Sequence, residues 1–346
     1  MNPIKNVLVT GDRGYIGSVL TGYLREHGYK VSGLDADFFS ECILGKPEEG
    51  YPRVARDIRD VTAADLEGVD AILHLAGLSN DPLGELSKPL TDRINFRETV
   101  RLARLAAEAG VQRFVFSSSQ SMYGRSTTDA ELEEDTSEKN PITEYARTKW
   151  EAELQLRELN TDTFTVVSMR PSTVFGWSPR LRCDIVFNNL VACAYTTGRI
   201  EIKSDGTPRR PVVHVRDVSA AFTAALQAPR GLVGGRAYNV GIPNGNFTVR
   251  DLAEAAGRAV PGSEVIFTGE HGNDSRSYRV SFDRILTELG EWYRPEWTLD
   301  RGGEELVAHF KATGFGEKEF RGRMTNRLAQ LKHLLDHSRL DAELCW

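Results

Sequence analysis

Hydrophobic and polar residues follow first a strand-like and then a helix-like period at the start of this chain. The run Val7-Leu8-Val9, at the centre of residues 4–9, is continuously apolar, as in a strand buried on both faces of a parallel sheet. Apolar residues then recur at helical spacing, at positions 16, 19, 20 and 24, before Gly28 ends the stretch. A second strand is predicted over residues 30–34 and ends at Asp35. The pattern predicts a strand, a helix and a second strand in that order.

The alternation of strand and helix continues through the first half of the chain. Residues 69–77 form an apolar run that leads into a glycine turn, and residues 114–119 form another that ends in serines. Between these runs, residues 93–109 carry alanine, valine and leucine at helical spacing, and residues 166–169 supply a further strand. Such alternation indicates an α/β fold of the Rossmann type, with a doubly wound parallel sheet.

A division of the chain is predicted near residue 175, because prolines and glycines interrupt the rhythm beyond it. We expect a first domain over residues 1–175, to which segments near 205–241 return. Two strand-like runs in those segments, residues 212–215 and 238–241, should rejoin the first sheet. Residues 176–204 and 242–316 should form a smaller C-terminal domain that binds substrate.

A helical extension is predicted over residues 317–346. Its leucines share one face of a helix, whereas its basic residues lie elsewhere. We expect the segment to dock on the body of the protein or on a second subunit. The leucines are Leu328, Leu331, Leu334 and Leu335, and the basic residues are Arg327, Lys332 and Arg339.

Composition and charge exclude several classes of protein. The chain has 346 residues, of which 40% are hydrophobic, enough to fill one large or two modest cores. No apolar run approaches the ~20 residues that span a membrane, and no signal peptide precedes the first strand, so we expect a cytoplasmic protein with no membrane partner. The net charge of −6 argues against a nucleic-acid partner. Four scattered cysteines without CxxC spacing predict reduced thiols and no metal.

The turn between the first predicted strand and the first predicted helix carries the motif Thr10-Gly11-Asp12-Arg13-Gly14-Tyr15-Ile16-Gly17. Glycines between a strand and a helix allow a tight bend and let backbone N–H groups approach a pyrophosphate at the positive end of the helix. Asp35 ends the second strand about 20 residues further on, where an acid binds the adenosine ribose. A carboxylate there repels a 2′-phosphate, and residues 36–39 offer no base to hold one. The motif therefore favours NAD over NADP.

A second motif, Tyr145-Ala146-Arg147-Thr148-Lys149, places a phenol and an ammonium on one helix face. The pKa of a phenol near 10 is too high for a base at neutral pH, but a neighbouring ammonium and a nicotinamide cation favour phenolate. The competing interpretation is that Tyr145 packs and Lys149 is solvated. Ser119 favours catalysis, because it ends a sheet strand, where α/β sheets place their active sites. We expect Ser119 and Tyr145 to share one substrate oxygen.

Taken in order, these motifs resemble those of the extended short-chain dehydrogenase/reductases, specifically the NAD-dependent nucleotide-sugar epimerase/dehydratase group. The resemblance runs over nearly the whole chain and implies a nucleotide-diphosphate sugar as the substrate. The matching features are the glycine motif, Asp35, Asp57-Ile58, His74-Leu75-Ala76-Gly77, Asn95, Ser117-Ser118-Ser119, Tyr123-Gly124, Tyr145 to Lys149, Arg170-Pro171, Asn188-Asn189-Leu190, and Arg210 ahead of Val213-His214-Val215.

The resemblance also implies individual site residues. Ser119, Tyr145 and Lys149 form the catalytic triad. The residues implied to bind NAD are Gly11, Gly14, Tyr15, Ile16, Gly17, Asp35, Asp57, Ile58, Leu75, Ala76, Gly77, Asn95, Ser117, Tyr145, Lys149, Pro171 and Ser172. Those implied to face the sugar nucleotide are Ser79, Ser119, Gln120, Ser121, Thr173, Asn189, Arg210 and Arg276, and Arg side chains suit a buried diphosphate. Arg276 has a competing interpretation as a surface cation paired with Asp274 or Asp283.

The chemistry implied by the family begins with hydride transfer from a sugar carbon, usually C4, to NAD. The 4,6-dehydratases carry an Asp-Glu pair after the hydroxyl residue, whereas this chain has Gln120-Ser121. UDP-glucuronate decarboxylases generally carry Glu, and 3,5-epimerases Cys, at the position of Ser121, and serine is too weak an acid to replace either. We therefore expect a 4-epimerase, which returns the hydride to the other face of the 4-keto sugar.

Several alternatives stay open at this point. The keto sugar can instead leave as the product of a 4-dehydrogenase or ketoreductase. Asp81 or Glu85 can also act as the base at C5 that a 4,6-dehydratase, or an epimerisation next to the ketone, requires. The simpler interpretation of these two acids is that they cap a helix or face solvent. A noncatalytic NAD-sensing scaffold is the alternative outside enzymes. The family usually dimerises through the helix after Asn95 and the Tyr145 helix, so a homodimer is expected, with Ala146, Trp150 and Leu154 as an apolar stripe.

Overall fold

A computed structural model describes residues 3–46, 49–124, 130–270 and 277–346. The strands are β1 Asn6–Thr10, β2 Lys30–Asp35, β3 Arg53–Ala55, β4 Ala71–His74, β5 Arg113–Ser117, β6 Glu131–Leu132, β7 Thr165–Pro171, β8 Thr173–Phe175, β9 Arg199–Ile202, β10 Arg209–His214, β11 Arg236–Val240, β12 Asn246–Thr248, β13 Glu264–Phe267 and β14 Arg279–Val280. The helices are α1 Tyr15–Glu26, α2 Asp81–Gly84, α3 Lys88–Thr91, α4 Thr99–Glu108, α5 Glu144–Glu158, α6 Val186–Thr197, α7 Val215–Gln227, α8 Arg230–Val233, α9 Val249–Ala259, α10 Asp283–Glu288, α11 Leu299–Thr313, α12 Glu317–Arg321 and α13 Arg327–Asp336.

A seven-stranded sheet with strand order β11-β7-β5-β4-β1-β2-β3 forms the centre of the fold. All its strands are parallel, so the predicted doubly wound α/β fold is confirmed. Side chains alternate between its two faces: Val115 packs in one core layer, and its neighbours Phe114 and Phe116 pack in the other. The strand order reverses direction between β1 and β4, which opens a crevice at their carboxyl ends, where such sheets bind ligands.

The two segments predicted to return to the central sheet behave differently. β11, which contains residues 238–240, pairs with β7 in the central sheet, as expected. The prediction for residues 212–215 is wrong, because β10 pairs instead with β8 and β12 in a separate three-stranded sheet. Val212 and Val213 are fully buried there. An apolar run predicts a buried strand, but it does not specify which of two sheets the strand joins.

The C-terminal helix α13 docks on the body of the same chain. Leu331 and Leu334 are fully buried, in a core layer shared with Phe38, Ile58 and Leu83. The expected position of Arg327 away from the buried face is wrong, since Arg327 is itself only 2% exposed. No helix in the described ranges is long and apolar enough to cross a membrane.

Candidate active site

A cavity of about 720 Å³ lies at the carboxyl edge of the central sheet. Most residues that the sequence points to for cofactor and substrate binding line this one cavity. They are Gly11, Gly14, Tyr15, Ile16, Gly17, Asp35, Asp57, Ile58, Leu75, Ala76, Gly77, Ser79, Ser117, Ser119, Gln120, Ser121, Tyr145, Lys149, Pro171, Ser172, Thr173 and Arg210.

The glycine turn between β1 and α1 is closed so tightly that no side chain fits at two of its positions. Gly11 has φ +77°, and a Cβ on it would lie 2.7 Å from the backbone nitrogen of Ala76. A Cβ on Gly17 would lie 2.0 Å from the carbonyl oxygen of Gly11. Gly14 caps α1 without a side chain, so the first N–H groups of the helix face the cavity unobstructed. This bare, positive helix end fits the pyrophosphate of a dinucleotide.

Asp35 lies at the end of β2, beside this turn. Its carboxylate accepts hydrogen bonds from the backbone N–H groups of Asp37 at 2.7 Å and Arg13 at 3.1 Å. Burial, together with the nearby carboxylates of Asp12 and Asp37, raises the pKa of Asp35 to about 6. The Arg13 guanidinium forms an ion pair with Asp37 and not with Asp35. Asp35 therefore presents a carboxylate at neutral pH, suited to ribose hydroxyls.

Asn95 does not line the cavity, although we expected it to bind the cofactor. Its side chain accepts a hydrogen bond from the N–H of Leu78 at 2.8 Å and donates one to the carbonyl of Leu78 at 3.0 Å. This double contact fixes the loop that follows Gly77, and Leu75, Ala76 and Gly77 face the cavity. The amide therefore positions cavity residues instead of touching a ligand.

Ser119, Tyr145 and Lys149 come together on one side of the cavity. Tyr145 lies in the first turn of α5, whose N-terminus is capped by Thr143 through a 3.2 Å hydrogen bond from the N–H of Ala146. Lys149 is 4% exposed and donates to the carbonyl of Ser117 at 2.7 Å. The end of β5 thus holds the ammonium, and one turn of α5 separates it from the phenol.

Burial and neighbouring charged groups shift the pKa values of Tyr145 and Lys149. Burial raises the pKa of the Tyr145 phenol, while a hydrogen bond with Ser119 and the guanidinium of Arg182 oppose that rise. Burial also lowers the pKa of Lys149 to about 7. That Lys149 and a nicotinamide cation favour phenolate stays a prediction. The cation that opposes the rise in the pKa of Tyr145 is Arg182.

The residues after β5 place hydroxyls, not carboxylates, beside Tyr145. Ser119 caps the short helical turn Gln120–Tyr123, where its hydroxyl accepts from the N–H of Ser121 at 3.1 Å. The Ser121 hydroxyl lies 2.9 Å from the same oxygen. Gln120 is buried, and its side chain donates to the carbonyl of Arg170 at 3.0 Å, while its Oε1 has no partner in the described parts of the chain. The amide of Gln120 is therefore held by the backbone of β7, and its Oε1 is a buried acceptor.

Two acids follow the loop after Gly77. Glu85 accepts a hydrogen bond from the N–H of Glu144 at 3.0 Å, at the start of α5, and pairs with Lys88. Asp81 lines the cavity, accepts from the Thr143 hydroxyl at 2.6 Å, and raises the pKa of Tyr145. Glu85 therefore caps a helix, whereas Asp81 lies close to the phenol.

The other end of the cavity lies against the small sheets. Arg210 on β10 and Thr173 on β8 both line it, together with Tyr278 and Val249. Asn189 does not line the cavity; its amide donates instead to the carbonyl of Cys183 at 2.8 Å. It therefore holds the 182–184 turn, and the expected direct contact with substrate is not seen. Arg276 lies outside the described residues.

Further residues line the cavity beside those listed above. Arg182 and Asp184 form an ion pair of 2.8 Å in the wall near Tyr145. Asn326, Arg327 and Leu328 belong to the C-terminal segment. One signal for Arg327 is present in the sequence, since positions 327, 331 and 334 share one helix face with two buried leucines.

Comparison with known proteins agrees with this geometry. The model of the NAD dependent epimerase/dehydratase family matches residues 7–241. The UDP-glucose 4-epimerase of Bacillus subtilis is 30% identical over 341 residues, covering 87% of this chain and 94% of the relative. That of Mycolicibacterium smegmatis is 31% identical over 322 residues, covering 88% of this chain and 98% of the relative. The solved structure of MoeE5 with UDP-glucuronic acid and NAD superposes with a TM-score of 0.74 at 26% identity, covering 89% of this chain and 99% of MoeE5.

Proposed function

Because the chain belongs to the NAD-dependent epimerase/dehydratase family, we propose that it is a nucleotide-sugar 4-epimerase. It inverts C4 of the sugar through a transient 4-keto sugar. NAD, when bound on the glycine turn, supplies an acceptor that takes the C4 hydride and gives the same hydride back. The reaction has no net oxidation, since the two electrons that leave C4 return to it.

Tyr145 carries the proton transfers in this proposal. As the hydride leaves C4, the phenolate oxygen takes the proton of the C4 hydroxyl, and a carbonyl forms. The Ser119 hydroxyl donates a hydrogen bond to the same sugar oxygen and steadies its changing charge. The 4-keto sugar then rotates in the site, so that the hydride adds to the opposite face of C4. Tyr145 returns the proton to the oxygen. Lys149, held by the Ser117 carbonyl, adds positive charge beside the phenol when protonated.

The observation that carries the assignment is the chemistry at the end of β5. An elimination or a decarboxylation requires an acid or a base beyond Tyr145, and here Gln120 and Ser121 occupy the strand end. The Ser121 hydroxyl is engaged with Ser119 at 2.9 Å, and Gln120 offers only an amide oxygen. Neither group exchanges protons at neutral pH, so they support hydride return over further chemistry on the ring.

The substrate that we propose is a UDP-sugar. The relatives described above are UDP-glucose 4-epimerases, and MoeE5 was solved with UDP-glucuronic acid. Arg210 is a cation at the far end of the cavity, about where a diphosphate and nucleoside extend from a sugar held at Tyr145. The hydroxyls of Ser79 and Thr173, which line the cavity, suit sugar hydroxyls.

Incubation with UDP-, dTDP-, GDP- and CDP-hexoses and with UDP-glucuronate in deuterated water, followed by NMR, tests this function. We expect inversion at C4 with no solvent deuterium in the product. Tyr145→Phe should bind NAD and substrate normally but lose turnover by roughly 10²–10⁴-fold. Accumulation of NADH with a released keto sugar would instead identify a dehydrogenase, and NAD binding without any turnover would identify a scaffold.

A 4,6-dehydratase is a second candidate because of one observation, the position of Asp81. Its carboxylate lines the cavity and is near enough to raise the pKa of Tyr145. In that reaction a base removes the C5 proton of the 4-keto sugar and the C6 hydroxyl leaves as water, after which the hydride taken from C4 adds at C6 and a solvent proton adds at C5. The same NMR experiment distinguishes it, since deuterium then enters the product ring and Asp81→Asn abolishes that entry.

We further propose that the protein is a cytoplasmic homodimer. All four cysteines are free, and Cys42 and Cys183 are buried, which suits a reducing compartment. On α5, Leu154 is 39% exposed and Trp150 is half-buried, whereas Ala146 packs inside the chain. The dimer surface is therefore narrower than the predicted stripe. Light scattering of the wild type and of Leu154→Arg, which should favour monomers, tests this assembly.

A further inference from the structure

Arg327 is a buried cation in the wall of the cavity. It lies at the start of α13, outside the part of the chain that the family model matches. The side chain is 2% exposed, and its guanidinium carbon lies 4.6 Å from the centre of the Phe39 ring. One nitrogen, Nη2, donates to the carbonyl of Arg180, whereas Nη1 is buried with no partner in the described parts of the chain. Arg327 forms no ion pair with any carboxylate of the described residues.

Such a group is costly for a protein unless a ligand completes its contacts. Burial and the nearby guanidinium of Arg182 lower the pKa of Arg327 to about 10, so it stays charged at neutral pH. An unpartnered N–H on a buried cation loses its hydration without compensation. The neighbouring Arg182 differs, because Asp184 matches its charge at 2.8 Å. Among the described residues of this wall, Arg327 is thus a cation with a hydrogen-bond donor that has no partner.

The C-terminal segment lies across the cofactor end of the cavity. Gln330 donates to the carbonyl of Phe38 at 3.2 Å, and Trp346 donates to the carbonyl of Ala36 at 2.6 Å, so the segment holds the loop after Asp35. On the adenosine side, Arg59 donates to the carbonyl of Glu343 at 2.6 Å. Helix α13 also packs against α2, in the loop after Gly77. The segment therefore spans both loops that flank the glycine turn.

We propose that Arg327 binds the diphosphate of NAD, so that the C-terminal segment completes the cofactor site from the side opposite the glycine turn. The N-terminus of α1 and Arg327 then hold the two phosphates between them. Asp35 and Asp57 occupy the adenosine end, where the ligand carries no phosphate and no cation is required. A guanidinium whose second nitrogen is tethered to Arg180 is already oriented, so little freedom is lost when a phosphate binds.

A ligand series tests this role on the full-length chain freed of bound nucleotide. The affinities of NAD, ADP-ribose, adenosine and UDP are measured by calorimetry, or by competition where binding is weak. NAD and ADP-ribose carry the cofactor diphosphate, adenosine carries none, and UDP represents the substrate. The variants are Arg327→Met and Arg327→Lys, with Lys332→Met as the matched control, because Lys332 is an exposed cation on the same helix.

We expect Arg327→Met to weaken NAD and ADP-ribose equally, by about 10- to 100-fold, which is the scale of one charge-assisted hydrogen bond. Adenosine and UDP should bind as in the wild type, and Lys332→Met should change nothing. Arg327→Lys keeps the charge and should lose less than Arg327→Met. An equal loss for adenosine would overturn the proposal, because Arg327 would then only support the fold. A loss confined to UDP would overturn it in favour of the substrate diphosphate. None of these readouts depends on which sugar the enzyme uses.

Discussion

The hydroxyls of Ser119 and Ser121 lie 2.9 Å apart, and the N–H of Ser121 also points at the Ser119 oxygen. Ser119 therefore has two contacts that orient its hydroxyl beside Tyr145. Ser121 is itself a support for Ser119 in this arrangement. Ser119 is thus the residue expected to touch the reacting oxygen, and Ser121 is the residue that holds Ser119 in place.

Substitution of the two serines should have unequal effects. Ser119→Ala removes a donor aimed at the C4 oxygen, so kcat should fall by about 10²–10³-fold with little change in KM. Ser121→Ala removes a hydroxyl that contacts Ser119 and not the substrate, so kcat should fall by less than about 10-fold. Steady-state kinetics on the C4 inversion check both values. Equal losses in the two variants would contradict the separate roles.

A buried ion pair beneath the site should control stability. Arg170 and Glu153 are 0% and 1% exposed, and Glu153 also accepts from the Ser118 hydroxyl at 2.7 Å. Glu153→Gln leaves the Arg170 guanidinium buried without its counter-charge, so the free energy of unfolding should fall by about 3–5 kcal/mol. Glu151→Gln, which breaks a half-exposed pair with Arg147, should cost no more than about 1 kcal/mol. Urea denaturation measures both, and similar values would refute the claim.

The affinity for NAD should depend on pH through Asp35. Burial raises the pKa of this carboxyl to about 6. The ionised form accepts hydrogen bonds from both ribose hydroxyls, so affinity should rise as pH increases through about 6 and level off near neutrality. Binding should also release protons near pH 6, because the hydroxyls favour the charged form. Asp35→Asn should bind NAD more weakly with a flat profile, and calorimetry in buffers of different ionisation enthalpy records both effects.

The local periods of the sequence were sufficient to predict the central sheet, and the family resemblance supplied most of the residues that line the cavity. A βα turn brings Gly11 and Gly17 together within one motif, and the carboxyl ends of parallel strands meet at one edge. The destination of β10 was not predictable in this way, because Val212 and Val213 are equally apolar in either sheet. Long-range contacts were also missed. Nothing near Arg327 in the sequence indicates that it packs on Phe39, nearly three hundred residues away.

Residues expected to touch ligands sometimes hold the backbone instead. Asn95 binds both polar backbone groups of Leu78, and Asn189 binds the Cys183 carbonyl. A motif marks the position of such an amide but not the direction of its side chain, which depends on the packing of separate loops. The same reason explains Glu85, whose carboxylate caps α5 through the N–H of Glu144.

The fate of the hydrogen on C4 tests the central claim most directly. UDP-glucose that carries deuterium at C4 is incubated with the enzyme in ordinary water, and the epimerised product is isolated and examined by NMR and mass spectrometry. If the hydride leaves C4 and returns to its other face, the product retains the deuterium at C4 in full. Loss of the label to water, or its transfer to another carbon, would contradict hydride return.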